Sequence, residues 1–299
     1  MTGFSSFKDL KKNRGELRKK IEAAVTADGK TGGGARKEDE NSWYPIKNDQ
    51  GSCSTLIRFL PPSHGQTLPW AKRYRHAFKE NGKWLFENCP TTHGNDCPIC
   101  DANKELWQTE IESNRKIASA RKRQLEYFYN IHIIDDNTQE GVTGTNKIFK
   151  SGPYVFKMIQ SALNPEFADD AKVDAFDLWE GADFNFKMFI KDKQLTYERS
   201  AFKAPSEFAS GDDEKQEAVY NGMYDLGVFT DNKLFNSYED IKKNFLRVTG
   251  AVDKGVNRPS AEKEVKKSIE EKSIGASDLG LDTSESDDAL AMFESLADS

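Results

Sequence analysis

No stretch of this chain approaches the ~18 consecutive apolar residues of a membrane-spanning helix, and its first residues are charged rather than apolar. The sequence is therefore expected neither to cross a membrane nor to be secreted. Cysteine is scarce, at four residues in 299. Three of them cluster at metal-ligand spacing and Cys53 stands apart, which argues for a reducing, intracellular setting rather than a disulfide framework. Histidine is equally scarce, at four residues. With one of them given to a metal, little remains for acid–base chemistry. There is no His-Glu-x-x-His, and the pairs Asp135-Asp136, Asp169-Asp170 and Asp212-Asp213 read as turn residues rather than a catalytic cluster. Ala24-x4-Gly29-Lys30-Thr31 imitates a phosphate loop. That loop needs a strand before it and a helix after it, whereas here a charged helix precedes it and glycines follow. These absences point away from an enzyme.

Apolar residues make up only 36% of the chain and charged ones 31%, so part of it is not expected to pack. The charge is unevenly placed. From Asp278 to Ser299 there are seven acids and no Lys or Arg, and removing them from the formal −6 leaves about +1 for everything before. The acidic balance is thus a property of the tail and does not exclude a nucleic-acid partner.

Residues 1–25 read as a basic helix, with Lys8, Lys11, Lys12, Arg14, Arg18, Lys19 and Lys20 interleaved with Leu10, Leu17 and Ile21. Such an arm would contact DNA or a neighbouring copy. Residues 26–42 are a Gly-rich linker. The folded part, 43–250, begins near Trp43. Strands are expected at Ser54–Leu60, Trp70–Phe78, Lys83–Glu87, Glu126–Ile134, Thr145–Lys150 and Phe184–Ile190. The last turns through Lys191–Lys193 into Gln194–Arg199. Asn81-Gly82 between two alternating runs predicts a tight hairpin. Helices are expected over 101–122, Pro153–Leu163 and Tyr238–Val248. Residues 251–275 are a charged linker. Residues 276–299, acidic with sparse Leu, Met and Phe, suit a disordered segment that docks on partners; Asp287, Asp288, Leu290 and Phe293 are its candidate contacts.

His76-x12-Cys89-x7-Cys97-x2-Cys100 is one tetrahedral set of three thiolates and an imidazole, the ligand chemistry of a closed structural zinc site. A thiolate-rich set also accepts iron. His76 is preferred over His93, because the short loop from Cys89 to Cys97 leaves little room for three consecutive ligands. With all four positions filled by protein, no site stays open for a catalytic water.

Basic residues lead directly into aromatics: Arg115, Lys116, Arg121, Lys122 and Arg123, then Tyr127-Phe128-Tyr129. Single-strand binders need both, cations for phosphates and rings for bases. Both faces of that strand carry rings, and only one face is expected to be fully buried. Arg58, Arg73, Arg75, Tyr197 and Arg199 extend the same reading.

Arg58-Phe59-Leu60-Pro61, His76-x-Phe78-Lys79-x-Asn81-Gly82-Lys83-Trp84, Cys89, Thr92-His93-Gly94, Cys97-Pro98-x-Cys100 and Trp179-Glu180-Gly181-Ala182-x-Phe184 together resemble the helix-destabilising, single-stranded-DNA-binding protein family of T-even-type phages. The likeness runs along most of the chain in the same order. It implies an α+β fold: an OB-fold β-barrel core with an inserted zinc subdomain at about 70–125. It also implies a flexible basic N-terminal arm for self-association (Lys11, Lys12, Arg14) and an acidic C-terminal tail. The implied ligands are His76, Cys89, Cys97 and Cys100 around one structural zinc ion. The implied groove positions are Arg121, Lys122, Arg123, Tyr127, Phe128 and Tyr197, to which Arg58 and Arg199 are added. The implied function is non-enzymatic, cooperative coating of single-stranded DNA in the host cytoplasm. The tail would contact replication, recombination and repair proteins. The competing readings are a zinc-containing interaction adaptor and a DNA nuclease accessory.

Overall fold

A computed structural model of the chain describes residues 6–26, 40–167, 169, 171–192 and 194–251, all within one unit that ends at Ala251. The helices are α1 (Phe7–Lys12), α2 (Arg14–Thr26), α3 (Pro98–Gln108), α4 (Glu112–Ala120), α5 (Pro153–Leu163), α6 (Asp213–Asn221) and α7 (Tyr238–Thr249). The strands are β1 (Ser42–Trp43), β2 (Cys53–Phe59), β3 (Trp70–Glu80), β4 (Lys83–Asn88), β5 (Gln124–Asp136), β6 (Asn146–Ser151), β7 (Phe184–Lys191), β8 (Gln194–Thr196) and β9 (Ala201–Phe202). The chain is thus a mixed α/β protein.

The long strand β5 organises the sheet. One of its edges pairs with β6 over Tyr127–His132. The other edge is shared: β3 takes Gln124–Tyr129 and β2 takes Ile131–Asp136. The sheet then continues through β7 to β8, with β4 attached to β3 and β1 parallel to β6. The β3–β4 hairpin turns where the sequence places it, with Asn81 at φ 48° and Gly82 at φ 75°. This turn requires positive φ at both central residues, and Asn followed by Gly adopts it at least cost.

Helix α5 starts at Pro153, where the missing N–H costs nothing, and buries Val155, Phe156, Ile159 and Leu163 against the sheet. The main core is rich in rings: Phe59 meets Tyr129 edge-on at 5.3 Å and lies 5.5 Å from Phe184. A second, smaller core joins Phe78, Leu85, Cys89, Cys97 and Ile99 to Ile241, Phe245 and Val248 of α7. Ser237 caps α7 by accepting from the Asp240 amide, and Gly250 closes it at φ 68°.

Several expectations need correction. The basic N-terminal segment is two helices broken at Asn13, and neither is a free arm. Phe7, Leu10, Leu17 and Ile21 are buried in the main core. Arg14 pairs with Asp177 at 2.9 Å and lies 4.8 Å from the Trp179 ring centroid, while Lys11 pairs with Asp213 at 2.7 Å. Gly181, in the Trp179-Glu180-Gly181-Ala182 motif, lets this seat close. A Cβ there would stand 2.2 Å from the Asp177 carbonyl oxygen.

The expected 26–42 linker falls mainly on residues outside the described ones. Its last residue, Ser42, already lies in β1. Next to it, Trp43 is buried and donates its indole N–H to Asp136 at 2.9 Å. Asp136 ends β5 and opens the turn that follows, where its carboxylate also accepts from the Thr138 amide at 2.9 Å, the local bond expected of it. Asp212 caps α6 by accepting from the Lys215 amide. The helical stretch 101–122 divides into α3 and α4, with Glu110 at φ 57° between them. The 251–275 linker and the acidic 276–299 segment, with Asp287, Asp288, Leu290 and Phe293, lie outside the described residues.

Candidate metal centre and nucleic-acid interface

His76 stands in the middle of β3 and Cys89 directly follows β4. The hairpin therefore presents both from one end. Cys97 precedes α3 with Pro98 in the first helical position, and Cys100 lies one turn on. The two-residue spacing of a helical turn brings both sulfurs to one side. The ligand atoms of His76, Cys89, Cys97 and Cys100 all lie within 4.8 Å of one another. Cys89 and Cys100 are 3.6 Å apart, and His76 Nε2 is 3.5 Å from each of the Cys97 and Cys100 sulfurs. Tetrahedral coordination with bonds of ~2.3 Å to sulfur and ~2.0 Å to nitrogen requires separations of about 3.8 Å and 3.5 Å. The donor set therefore fits a tetrahedral metal ion.

His76 Nδ1 donates to the Arg121 carbonyl oxygen at 2.9 Å. This fixes the tautomer and leaves Nε2 as the ligand atom. Three sulfurs this close cannot all lose their protons without a cation. Hydrogen bonds from Cys100 and Cys97 hold Cys89 far below the usual thiol range, and the same contacts drive Cys100 far above it. Burial opposes charge on His76, but hydrogen bonds with Cys89 and Cys97 outweigh it and push the imidazole up to about 9. A bound cation replaces these shared protons. His93 is not among the four; its ring meets Phe235 edge-on at 4.6 Å.

The basic triplet follows α4 and leads into β5. Arg121 makes a two-pronged pair with Glu80, at 2.8 and 2.6 Å, and stacks near Phe245. Lys122 is exposed. Arg123 lies 4.2 Å from the Tyr74 ring centroid, and Lys72 approaches the same ring at 5.3 Å. Burial and the neighbouring Arg123 both lower the Lys72 pKa. In the β3–β5 register Tyr74 faces Leu125. Leu125 lies at the floor of a cleft of about 420 Å³ rimmed by Tyr44, Lys150, Pro153, Tyr154 and Tyr197. Cations and half-open rings thus follow one another from the metal centre to this cleft, the composition that a single strand requires.

Other sequence-derived positions lie elsewhere. Tyr127 and Phe128 are 1% and 2% exposed. Both faces of β5 are covered, one by Phe156 of α5 stacked on Tyr127 at 4.2 Å, the other by Phe229 stacked on Phe128 at 4.0 Å. The expectation that one ringed face stays open is therefore corrected, because a late segment of the chain supplies the second cover. Arg58 is fully buried. It donates to Asp183 and to the carbonyls of Asp177, Leu178 and Ser206. It ties loops together and offers nothing at the surface. Burial lowers its pKa, opposed by Asp183. Arg199 is exposed above Phe189. Lys72, Tyr74, Tyr44, Lys150 and Tyr154 escaped the sequence reading. The alternation Trp70-Ala71-Lys72-Arg73-Tyr74-Arg75 is the signal that points to the first two.

Residues 51–249 match the family model described as "gp32 DNA binding protein like". A protein named single-stranded DNA-binding protein from Enterobacteria phage T2 is 32% identical over 246 residues, covering 79% of this chain and 78% of its own length. That of Enterobacteria phage T4 is 32% identical over 245 residues, 78% of each chain. A third, from Escherichia phage SV14, is 38% identical over 82 residues, 26% of this chain and 73% of its own. The matched region contains the metal-ligand set and the cleft lining apart from Tyr44 and Pro45, so sequence and geometry agree that the chain belongs to the gp32-like DNA-binding protein family.

Proposed function

We propose that this chain coats single-stranded DNA with little sequence preference, as a non-enzymatic protein of DNA replication, recombination and repair in the cytoplasm of a phage-infected cell. The observation that carries the reading is the run of Arg123, Tyr74 and the Tyr44–Tyr154–Tyr197 cleft, in a chain whose relatives bear the name of single-stranded-DNA binders. Phosphates follow Lys122, Arg123 and Lys72, and bases stack on the cleft tyrosines, with Arg199 extending the path. Tyr127 and Phe128 act from beneath, as the packed floor that keeps those groups in place.

The ion held by His76, Cys89, Cys97 and Cys100 is a structural zinc, consistent with a closed thiolate-rich set. It stiffens a zinc subdomain at about 70–125 inserted in an OB-fold core within 43–250. Residues 1–25 are a self-association segment that meets a neighbouring copy from its seated position, through the exposed Lys11 and Lys12, while Arg14 holds the seat on Asp177. The acidic segment 276–299 contacts partner proteins through Asp287, Asp288, Leu290 and Phe293.

The test is quenching of intrinsic Trp/Tyr fluorescence by oligo-dT against a matched duplex, over a range of salt. Strong quenching by the single strand, with affinity falling steeply as salt rises, supports the reading. An equal response to duplex, or none, removes it and favours an interaction adaptor.

A further inference from the structure

On the face of β3 and β4 turned away from the metal ligands, two large rings stand in solvent. Trp84 and Phe86 are 56% and 50% exposed and lie parallel, 5.3 Å apart at an interplanar angle of 9°. The pair is not isolated. Arg75 lies 5.4 Å from the Phe86 ring centroid, and Lys79, exposed, is the cross-strand neighbour of Trp84. Next along the same face, Glu126 draws three cations together: Arg73 at 2.8 Å, Lys150 at 3.1 Å and Arg75 at 3.4 Å. Arg73 in turn covers Phe128, which Phe229 backs. Rings and cations alternate along one line. The carboxylate lets three positive side chains share a small area and fixes the arginine planes over the rings.

We infer that Trp84 and Phe86 are a second stacking platform for single-stranded DNA, on the outer face of the hairpin, with Arg75 and Lys79 placed for the adjoining phosphates. The inference rests on the single-strand reading and adds a site to it. Aromatic faces accept any base, and the ring pair already has the parallel geometry that a base would extend. A clustered positive field beside exposed rings complements a nucleotide strand better than it does an apolar protein surface. A metal ion held by the four ligands would give the platform a fixed base: His76 and Cys89 sit on β3 and immediately after β4, so the hairpin that carries the rings would be anchored at that end.

The experiment uses the full chain with an oligo-dT bearing 5-iododeoxyuridine, irradiated and digested with trypsin. Cleavage after Lys83 makes Trp84 the first residue of the peptide running to Lys104, so an adduct on Trp84 or Phe86 is read directly in that peptide. Adducts there are expected. Their absence, with adducts recovered on cleft residues, overturns the platform while leaving the coating function standing. The double variant W84A/F86A should bind a short oligo-dT about tenfold or more weaker at fixed salt, and W84Y should keep most of the affinity. Wild-type affinity in the double variant overturns the inference. So does a double variant whose only change is its sedimentation without DNA, because the rings would then serve a second copy of the chain. If the wild-type chain itself fails to bind oligo-dT, the coating function falls first, and that result is distinct.

Discussion

His76 joins the metal centre to the basic run: its Nε2 faces the thiols while its Nδ1 donates to the carbonyl oxygen of Arg121, the first residue of Arg121-Lys122-Arg123. Metal occupancy and the placement of the triplet are therefore coupled through one imidazole. Cys97→Ser, or removal of the ion with a chelator, is expected to release His76 and loosen the small core of Phe78, Leu85, Ile99 and Phe245. The main sheet has its own core and should persist. Hydrogen exchange should rise over β4, α3 and α7 but not over β5 and β7, and binding to oligo-dT should weaken. Unchanged exchange and unchanged affinity would sink the coupling.

The N-terminal seat separates two cations that look alike in the sequence. Lys11 and Asp213 are an exposed pair, so Lys11→Ala should change stability by less than about 1 kcal/mol. Arg14 meets a mostly buried Asp177 through two hydrogen bonds and covers Trp179. Arg14→Ala should therefore cost more than Lys11→Ala, on the order of 1–2 kcal/mol. Urea denaturation of the two variants measures the difference, and equal midpoints would contradict the seat as described.

A pH prediction follows from Asp174. The residue is 5% exposed. Burial pushes its pKa up to about 6, against a hydrogen bond from the Phe176 amide. Because the folded value lies above the unfolded one, the folded state holds the proton more tightly between about pH 4 and 6. Stability should fall as pH rises through that window, by up to about 3 kcal/mol at roughly 1.4 kcal/mol per unit. Asp174→Asn should flatten this part of the profile. A wild-type melting temperature that is level or rising from pH 4 to 6, once other groups are matched by the variant, would contradict it.

Much of the architecture was legible because local signals agree with the fold. Asn81-Gly82 fixed the hairpin, Pro153 opened α5, and Ser237 with Gly250 bounded α7. The metal set was legible because its chemistry allows few residue types. What escaped depends on distant segments. Nothing local says that Phe229 will cover Phe128, or that α7 will complete the core beneath the metal ligands. The burial of Phe7, Leu10, Leu17 and Ile21 was hidden by the lysines between them. A helix with a narrow apolar stripe and many cations reads as solvated until its partner surface, here Trp179 and Tyr220, is known.

Arg58 gives the sharpest separation between a basic residue that binds and one that builds. From the sequence it is a cation on a strand, fit for a phosphate. In the fold its guanidinium is enclosed and holds Asp183 and three carbonyl oxygens. Removing it takes this donor from the part-buried Asp183 carboxylate and the Ser206 carbonyl oxygen, while the Asp177 and Leu178 oxygens keep the Gly181 and Phe208 amides; a broken buried pair typically costs about 3–5 kcal/mol. Arg58→Leu is therefore expected to lower the unfolding midpoint sharply. The fraction that remains folded should keep the wild-type slope of log affinity against log salt. Lys122→Ala should do the reverse: no change in unfolding, and a salt slope shallower by about 0.7, the increment for one phosphate contact to a single strand. If Arg58→Leu instead left stability intact and reduced the slope, its side chain would have to reach DNA, and the enclosure described above would be wrong.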